Sequence, residues 1–135
     1  MSWHTMIIGG AAVAVVALFV YKHLTSGLTD PERAEIQKAL AAGAKLIDVR
    51  TPQEYATAHV DGAINVPLRE LPNRLKRLGS RRKPLVIYCH SGSRSAQAAR
   101  YLRERGFQRV LDMKRMSNWS AVVAGRGSEQ AASDS

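Results

Sequence analysis

The segment Pro84–Tyr88 (PLVIY) sets the tightest limit on the architecture. A run this short and this apolar has no polar face to turn towards water, so a strand here must be covered on both sides. That is the position of a central strand in a parallel sheet, with helices above and below. The rest of the chain alternates to match. Thr29 and Glu32 have the spacing of a capping box, Pro31 takes an early helical position, Ile36, Ala39 and Leu40 form an apolar face, and Gly43 is a stop. Leu46–Val49 reads as a short buried strand. Thr51-Pro52-Gln53-Glu54 repeats the capping signature and predicts a brief helix towards His59. Ala63–Val66 is a second strand, and Leu71–Leu78 reads as a helix with Leu71, Leu75 and Leu78 on one side and Arg74, Lys76 and Arg77 on the other. Ala96–Arg105 is amphipathic and stops at Gly106, and Val110–Met113 is a last strand. The predicted class is α/β, a parallel sheet flanked by helices.

The 135 residues suffice for one ordinary domain, and 45% hydrophobic side chains are too many for a disordered polypeptide. The head of the chain stands apart. Met6 to Tyr21 contains no strongly polar residue, and no Lys, Arg, Asp or Glu precedes Lys22. Extended from Trp3 to Leu24, a helix here reaches about 33 Å, enough for a hydrocarbon core of about 30 Å. Neither a basic segment before the run nor an A-x-A-like site after it suggests a cleaved leader. Residues 4–24 are therefore expected to form a single transmembrane helix. All basic flanking residues lie on its C-terminal side, which predicts an outer N-terminus and a cytoplasmic domain. Gly10 and Ala14 are spaced to let two such helices pair weakly. The expected division is an anchor at 4–24, a linker at 25–30, the domain at 31–122 and a polar, disordered tail at 123–135.

Cys89 is the sole cysteine, which excludes an intrachain disulfide and any zinc site built on several thiolates. It falls where the central strand ends, and ligands of parallel sheets bind beyond the carboxyl ends of the strands. His90-Ser91-Gly92-Ser93-Arg94-Ser95 follows, leading into a helix. Small residues between a strand and a helix N-terminus can turn several backbone N–H groups inward. Those dipoles, the helix end and Arg94 all stabilise negative charge, and a thiolate is such a charge. Gly92 permits the curl, and Ser91, Ser93 and Ser95 add hydroxyl donors. A buried structural cysteine is the plain alternative; the loop favours a nucleophile.

These residues also carry a resemblance. CHSGSR, preceded by PLVIY and followed by SAQAARYLRERGF, resembles the active-site loop of rhodanese-domain sulfurtransferases. LIDVRTPQEYATAHVDGAINVPLREL is similar to that family's earlier signature at Asp48, Arg50, Glu54, Tyr55, His59, Gly62, Ala63, Asn65 and Pro67, and Trp119 fits as well. The resemblance runs over about residues 28–120. It implies that the Cys89 thiolate takes the sulfane sulfur of a donor such as thiosulfate and passes it, from a persulfide, to cyanide, a thiol or a protein. Arg94 would hold the anionic donor, and no metal or organic cofactor is implied. The chain departs from the family where Lys114 and Arg115 stand in place of a frequent Gly-Gly pair.

Two other readings compete. One is a binding or sulfur-delivery module of the same fold without turnover. The other is a phosphatase-like enzyme, disfavoured because only four residues separate Cys89 from Arg94 where tyrosine phosphatases have five. His90 shapes the pocket in this reading, His59 packs, and Asp48 with Arg50 forms a fold-stabilising ionic network, since alternate strand positions share a face. Charge is uneven: residues 69–135 hold fifteen basic and five acidic side chains, and Arg69–Lys83 holds seven basic residues against Glu70. A solvated face is the first reading of that stretch, followed by anionic lipid or an acidic acceptor protein. Nucleic acid ranks last, for want of stacking aromatics.

Overall fold

A computed structural model describes residues 3–24 and 27–124, with side chains at 10–21 and 27–124. After helix α1 (Trp3–Leu24) come α2 (Asp30–Ala41), β1 (Lys45–Asp48), α3 (Pro52–Thr57), β2 (Ile64–Asn65), β3 (Leu85–Cys89), α4 (Ser93–Glu104) and β4 (Val110–Arg115). The four strands form one parallel sheet in the order β2-β1-β3-β4, so β3 is internal, as its composition requires.

Alternation along β3 divides the core. Leu85, Ile87 and Cys89 join Ile47, Leu71, Leu78, Ala98, Ala99 and Leu102 on the α4 side of the sheet. Val86 and Tyr88 join Ile36, Ala39, Leu46, Met113 and Val122 on the α2 side. Successive strand residues point to opposite faces, so Tyr88 and Cys89, neighbours in sequence, belong to different cores.

The Tyr88 side holds the expected ionic network. Asp48 is 0% exposed and its carboxylate receives Arg50 Nη2 at 2.7 Å and Nε at 3.0 and 3.1 Å, together with the Tyr88 hydroxyl at 2.7 Å. Arg50 Nη2 also donates to the Ala58 carbonyl at 2.6 Å, and the Tyr88 oxygen accepts the Val60 N–H at 3.0 Å. Hydrogen bonding to Asp48 raises the Arg50 pKa further, and burial pushes the Tyr88 phenol well above its ordinary value. Buried Asp48 and Arg50 are thus paired with each other, and the Tyr88 hydroxyl and the Ala58 carbonyl add to their hydrogen bonds. His59 is exposed and stacks on Tyr55 at 3.7 Å between ring centroids, a packing role.

Both capping boxes form: Thr29 with Glu32 and Thr51 with Glu54 exchange side chain-to-backbone bonds at the starts of α2 and α3. Elsewhere the elements depart from expectation. The helix expected at Leu71–Leu78 is instead two 3-10 segments, Leu68–Asn73 and Leu75–Leu78. The two segments break at Arg74, whose φ of −122° and ψ of 13° depart from helical geometry. The faces nevertheless sort as expected, Leu71 and Leu78 buried and Arg74, Lys76 and Arg77 exposed. Helix α4 begins at Ser93, three residues before the expected start, because Gly92 at φ 96° turns the chain straight into it. The end of the domain is longer than expected: residues 119–124 are helical and the Val122 carbonyl accepts Gln37 Nε2 at 2.8 Å. The remainder of the expected tail, 125–135, lies outside the described residues, as do 25 and 26 of the expected linker.

Helix α1 has the expected bounds, and Val13, Val15, Val16, Leu18, Phe19, Val20 and Tyr21 are exposed along it. Among the described residues, however, no helix is long and apolar enough to cross a membrane. The transmembrane anchor expected at 4–24 is therefore not supported by the structure. That expectation also rested on the side chains of 4–9 and 22–24, which lie outside the described residues.

The pairing of β3 with β4 slips between Ile87 and Tyr88, so that Ile87 faces Asp112 while Tyr88 faces Lys114. Met113 is the extra residue of a bulge. Lys114 follows it at φ 68°, the one non-glycine residue with positive φ among those described. Its N–H is held by Asp112 Oδ1 at 2.8 Å, and its ammonium reaches Glu32 Oε2 and the Gly27 carbonyl at 3.2 and 3.3 Å. A Cβ in this region costs about 1–2 kcal/mol. Lys114→Gly is therefore expected to be more stable than Lys114→Ala by about 1 kcal/mol, since both lose the ammonium and only glycine escapes the Cβ contact. Urea midpoints of the two variants test this; equal midpoints would mean that the bulge relaxes without penalty.

Candidate active site at Cys89

Cys89 ends β3 on the α4 side, so its sulfur lies under the start of that helix. Gly92 N–H points to Sγ at 3.0 Å and Ser95 N–H at 3.3 Å. These amides belong to the first turn of α4, where N–H groups have no helical acceptor and carry partial positive charge. The left-handed Gly92 is what brings both to one sulfur. The Ser95 hydroxyl lies 3.1 Å from the Gly92 carbonyl and 3.2 Å from that of Lys114, fastening the loop to the bulge of β4. The arrangement can stabilise a sulfur anion, either a thiolate or the terminal charge of a persulfide.

Of the residues expected in the site, the structure brings Cys89, Gly92 and Ser95 into direct contact. Cys89 is 0% exposed, so the thiol rests beneath the loop rather than on the surface. His90, Ser91 and Ser93 are exposed, and no side-chain hydrogen bond joins them to Cys89 among the described residues. Arg94 lies in the first turn of α4, and its guanidinium is engaged by a carboxylate. Nη1 and Nη2 meet Glu54 Oε2 and Oε1 at 2.8 and 3.1 Å, with side chains 31% and 39% exposed. The Arg94 pair holds the Glu54 carboxyl below the usual range, and the Glu54 pair raises Arg94 in turn.

Glu54, Lys114 and Arg115 also lie beside the loop. Glu54 was accounted for as the capping partner of Thr51, and it does cap, receiving the Thr51 N–H at 3.1 Å. Lys114 stood out as a departure in sequence; its carbonyl contact to Ser95 is a consequence of the bulge. The register also sets Arg115 beside Cys89 across the β3–β4 pair. Among the described residues, no group of three or more His, Cys, Asp and Glu side chains is placed to ligate a metal.

A strand-ending cysteine under a helix N-terminus is common to several folds, and comparison with known proteins separates them. The rhodanese-like domain profile matches residues 32–121, two thirds of the chain. The chain belongs to the rhodanese-like domain family. This rhodanese-like domain is 36% identical over 104 residues to YqhL of Bacillus subtilis (strain 168), an uncharacterized protein, covering 76% of this chain and 78% of that one. It is 40% identical over 65 residues to the thiosulfate sulfurtransferase PspE of Escherichia coli (strain K12), covering 47% of this chain and 62% of that one. A solved structure described as rhodanese with anions from E. coli matches with a TM-score of 0.54 and 34% identity, over 56% of this chain and 91% of that one. The α/β fold is thus shared with a solved rhodanese structure, and the sequence with a relative named as a thiosulfate sulfurtransferase.

Proposed function

We propose that this chain is a rhodanese-type sulfurtransferase that carries sulfane sulfur on Cys89. The observation that carries the reading is the pair of α4 amides, Gly92 and Ser95, directed at the Cys89 sulfur. In the first step the thiolate attacks the outer sulfur of a donor such as thiosulfate. The donor S–S bond breaks, sulfite leaves with the bonding pair, and Cys89 becomes a persulfide whose terminal charge the amides stabilise. In the second step a thiophilic acceptor (cyanide, or a thiol of small molecule or protein) attacks the terminal sulfur and releases the Cys89 thiolate. No oxidant or reductant is consumed. The name of the E. coli relative, thiosulfate sulfurtransferase, supports thiosulfate as a first donor to try.

Intact-mass spectrometry of the full-length protein tests this. Incubation with thiosulfate is expected to add one sulfur atom, and cyanide to remove it. Folded protein with a free thiol that gains no sulfur from thiosulfate or any other sulfane-sulfur donor overturns the reading.

The same reading places the enzyme at a membrane, with the catalytic domain in the cytoplasm and α1 as anchor. The uncharged run from Met6 to Tyr21 and the exposed apolar side chains of α1 support this, because water disfavours such a surface. Full-length protein is expected to float with lipid vesicles and to resist high salt and alkaline extraction, while a chain beginning at Gly27 remains in the soluble fraction. Release of the full-length protein by salt alone would reduce the anchor to a peripheral contact.

A further inference from the structure

We propose that Glu54 sets the charge of the sulfur donor, so that donors of low negative charge, organic persulfides and thiosulfonates, are preferred over the thiosulfate dianion. The inference rests on the sulfur-transfer reading of Cys89. Arg94 is the one Lys or Arg in the loop His90–Ser95 and is the side chain expected to attract an anion. In the structure both of its terminal nitrogens are taken by the two oxygens of Glu54. The pair has no net charge. Glu54 is itself fixed, because it is the third residue of α3 and its Oε2 receives the Thr51 N–H. Its carboxyl lies below the usual carboxylate range, chiefly through Arg94, so it is ionised at neutral pH. Arg50 acts electrostatically on both groups, but its own guanidinium is spent on Asp48.

A donor approaching Cys89 therefore meets a carboxylate at the side of the cation. The carboxylate offsets the attraction of Arg94 for a donor anion, an offset of about tenfold per added negative charge for charges several ångströms apart in a partly solvated site. The chemistry of transfer does not need the second charge. From thiosulfate the thiolate takes the outer sulfur and sulfite leaves; from a thiosulfonate it takes the same sulfur and a sulfinate leaves. From a neutral persulfide the thiolate takes the outer sulfur with its proton, and the donor's thiolate leaves. In each case one S–S bond forms, one breaks, and the leaving group departs with the bonding pair.

The test compares two donors that differ by one charge, thiosulfate and the methanethiosulfonate anion, on the full-length protein in detergent. The rate of sulfur loading onto Cys89 is followed by intact mass in wild type, Glu54→Gln and Glu54→Asp. Glutamine keeps the capping box, since the position accepts either residue. Glu54→Gln is expected to shift selectivity towards thiosulfate by about tenfold, through a lower KM for thiosulfate, with the shift shrinking as salt is added. Glu54→Asp retains the charge and is expected to keep the wild-type ratio. A purely structural role would change loading by both donors alike. A ratio in Glu54→Gln within about twofold of wild type, with Cys89 still loaded, overturns the role of Glu54 and leaves sulfur transfer standing. No loading by either donor in any of the three proteins overturns both.

Discussion

Replacing Cys89 by serine is expected to abolish sulfur uptake while the domain stays folded. The serine oxygen can accept the same Gly92 and Ser95 amides that now point to sulfur, so the loop keeps its partners. A hydroxyl, however, is not ionised near neutral pH and attacks sulfane sulfur poorly, and Cys89 is the only thiol in the chain. Nothing else on the protein can hold the transferred atom covalently as a persulfide. Thiosulfate should add no mass to Cys89→Ser, and thiocyanate production should fall to the uncatalysed rate. The loss in stability should stay below about 2 kcal/mol, because only a sulfur-to-oxygen change is made inside an intact hydrogen-bonded loop. Sulfur gained by the variant would place the chemistry elsewhere. Wholesale unfolding would show instead that the thiol is needed for packing.

The largest stability effect is expected on the other side of the sheet. Asp48→Asn removes the charge that Arg50 and Tyr88 both address, in a place with no solvent to replace it. Arg50 is then a buried guanidinium facing a neutral amide, whose nitrogen also turns a donor towards other donors. Removing one partner of a buried pair costs about 3–5 kcal/mol. For a domain of this size that corresponds to a fall in melting temperature of more than about 10 °C. Thermal unfolding followed by circular dichroism measures it. Tyr88→Phe is the milder companion: it leaves the Val60 N–H without its acceptor and costs about 1–3 kcal/mol. A loss below about 1 kcal/mol in Asp48→Asn would mean that water or Arg50 itself relaxes into the gap.

Local rules made much of the fold legible. Thr29 with Glu32 and Thr51 with Glu54 announce their helices because a capping box is completed within four residues. PLVIY announces its central place because burial on both faces leaves no polar position. Asp48 and Arg50 announce their pairing because opposite charges two residues apart at the end of a buried strand lie within reach of each other, although β1 itself stops at Asp48. What was not legible depends on distant neighbours. The capping signature accounts for Glu54 so completely that nothing local points to Arg94, forty residues away. Leucine spacing at Leu71–Leu78 gave the right buried face and the wrong helix type, because periodicity does not register the backbone break at Arg74. The bulge at Met113 has no signature of its own. It shows only as a lysine standing in a left-handed position that glycine fills at lower cost. In the site, the small residues and the helix start pointed to the amides around Cys89, but which two reach the sulfur depends on how early α4 begins.

The division of β3 into two faces means that durability and reactivity can change independently in descendants of this chain. Tyr88 serves the α2 core and Cys89 the α4 core, although one peptide bond joins them. Substitutions behind Tyr88 can tune how much heat the domain withstands without moving the sulfur. Changes beneath α4 can retune or silence the thiol without weakening the Asp48 network. A single-residue insertion within Leu85–Cys89 is the change that such a layout does not tolerate. It would exchange the two roles, setting a phenol under the helix and a thiol against Asp48, and the protein would lose its scaffold and its chemistry together.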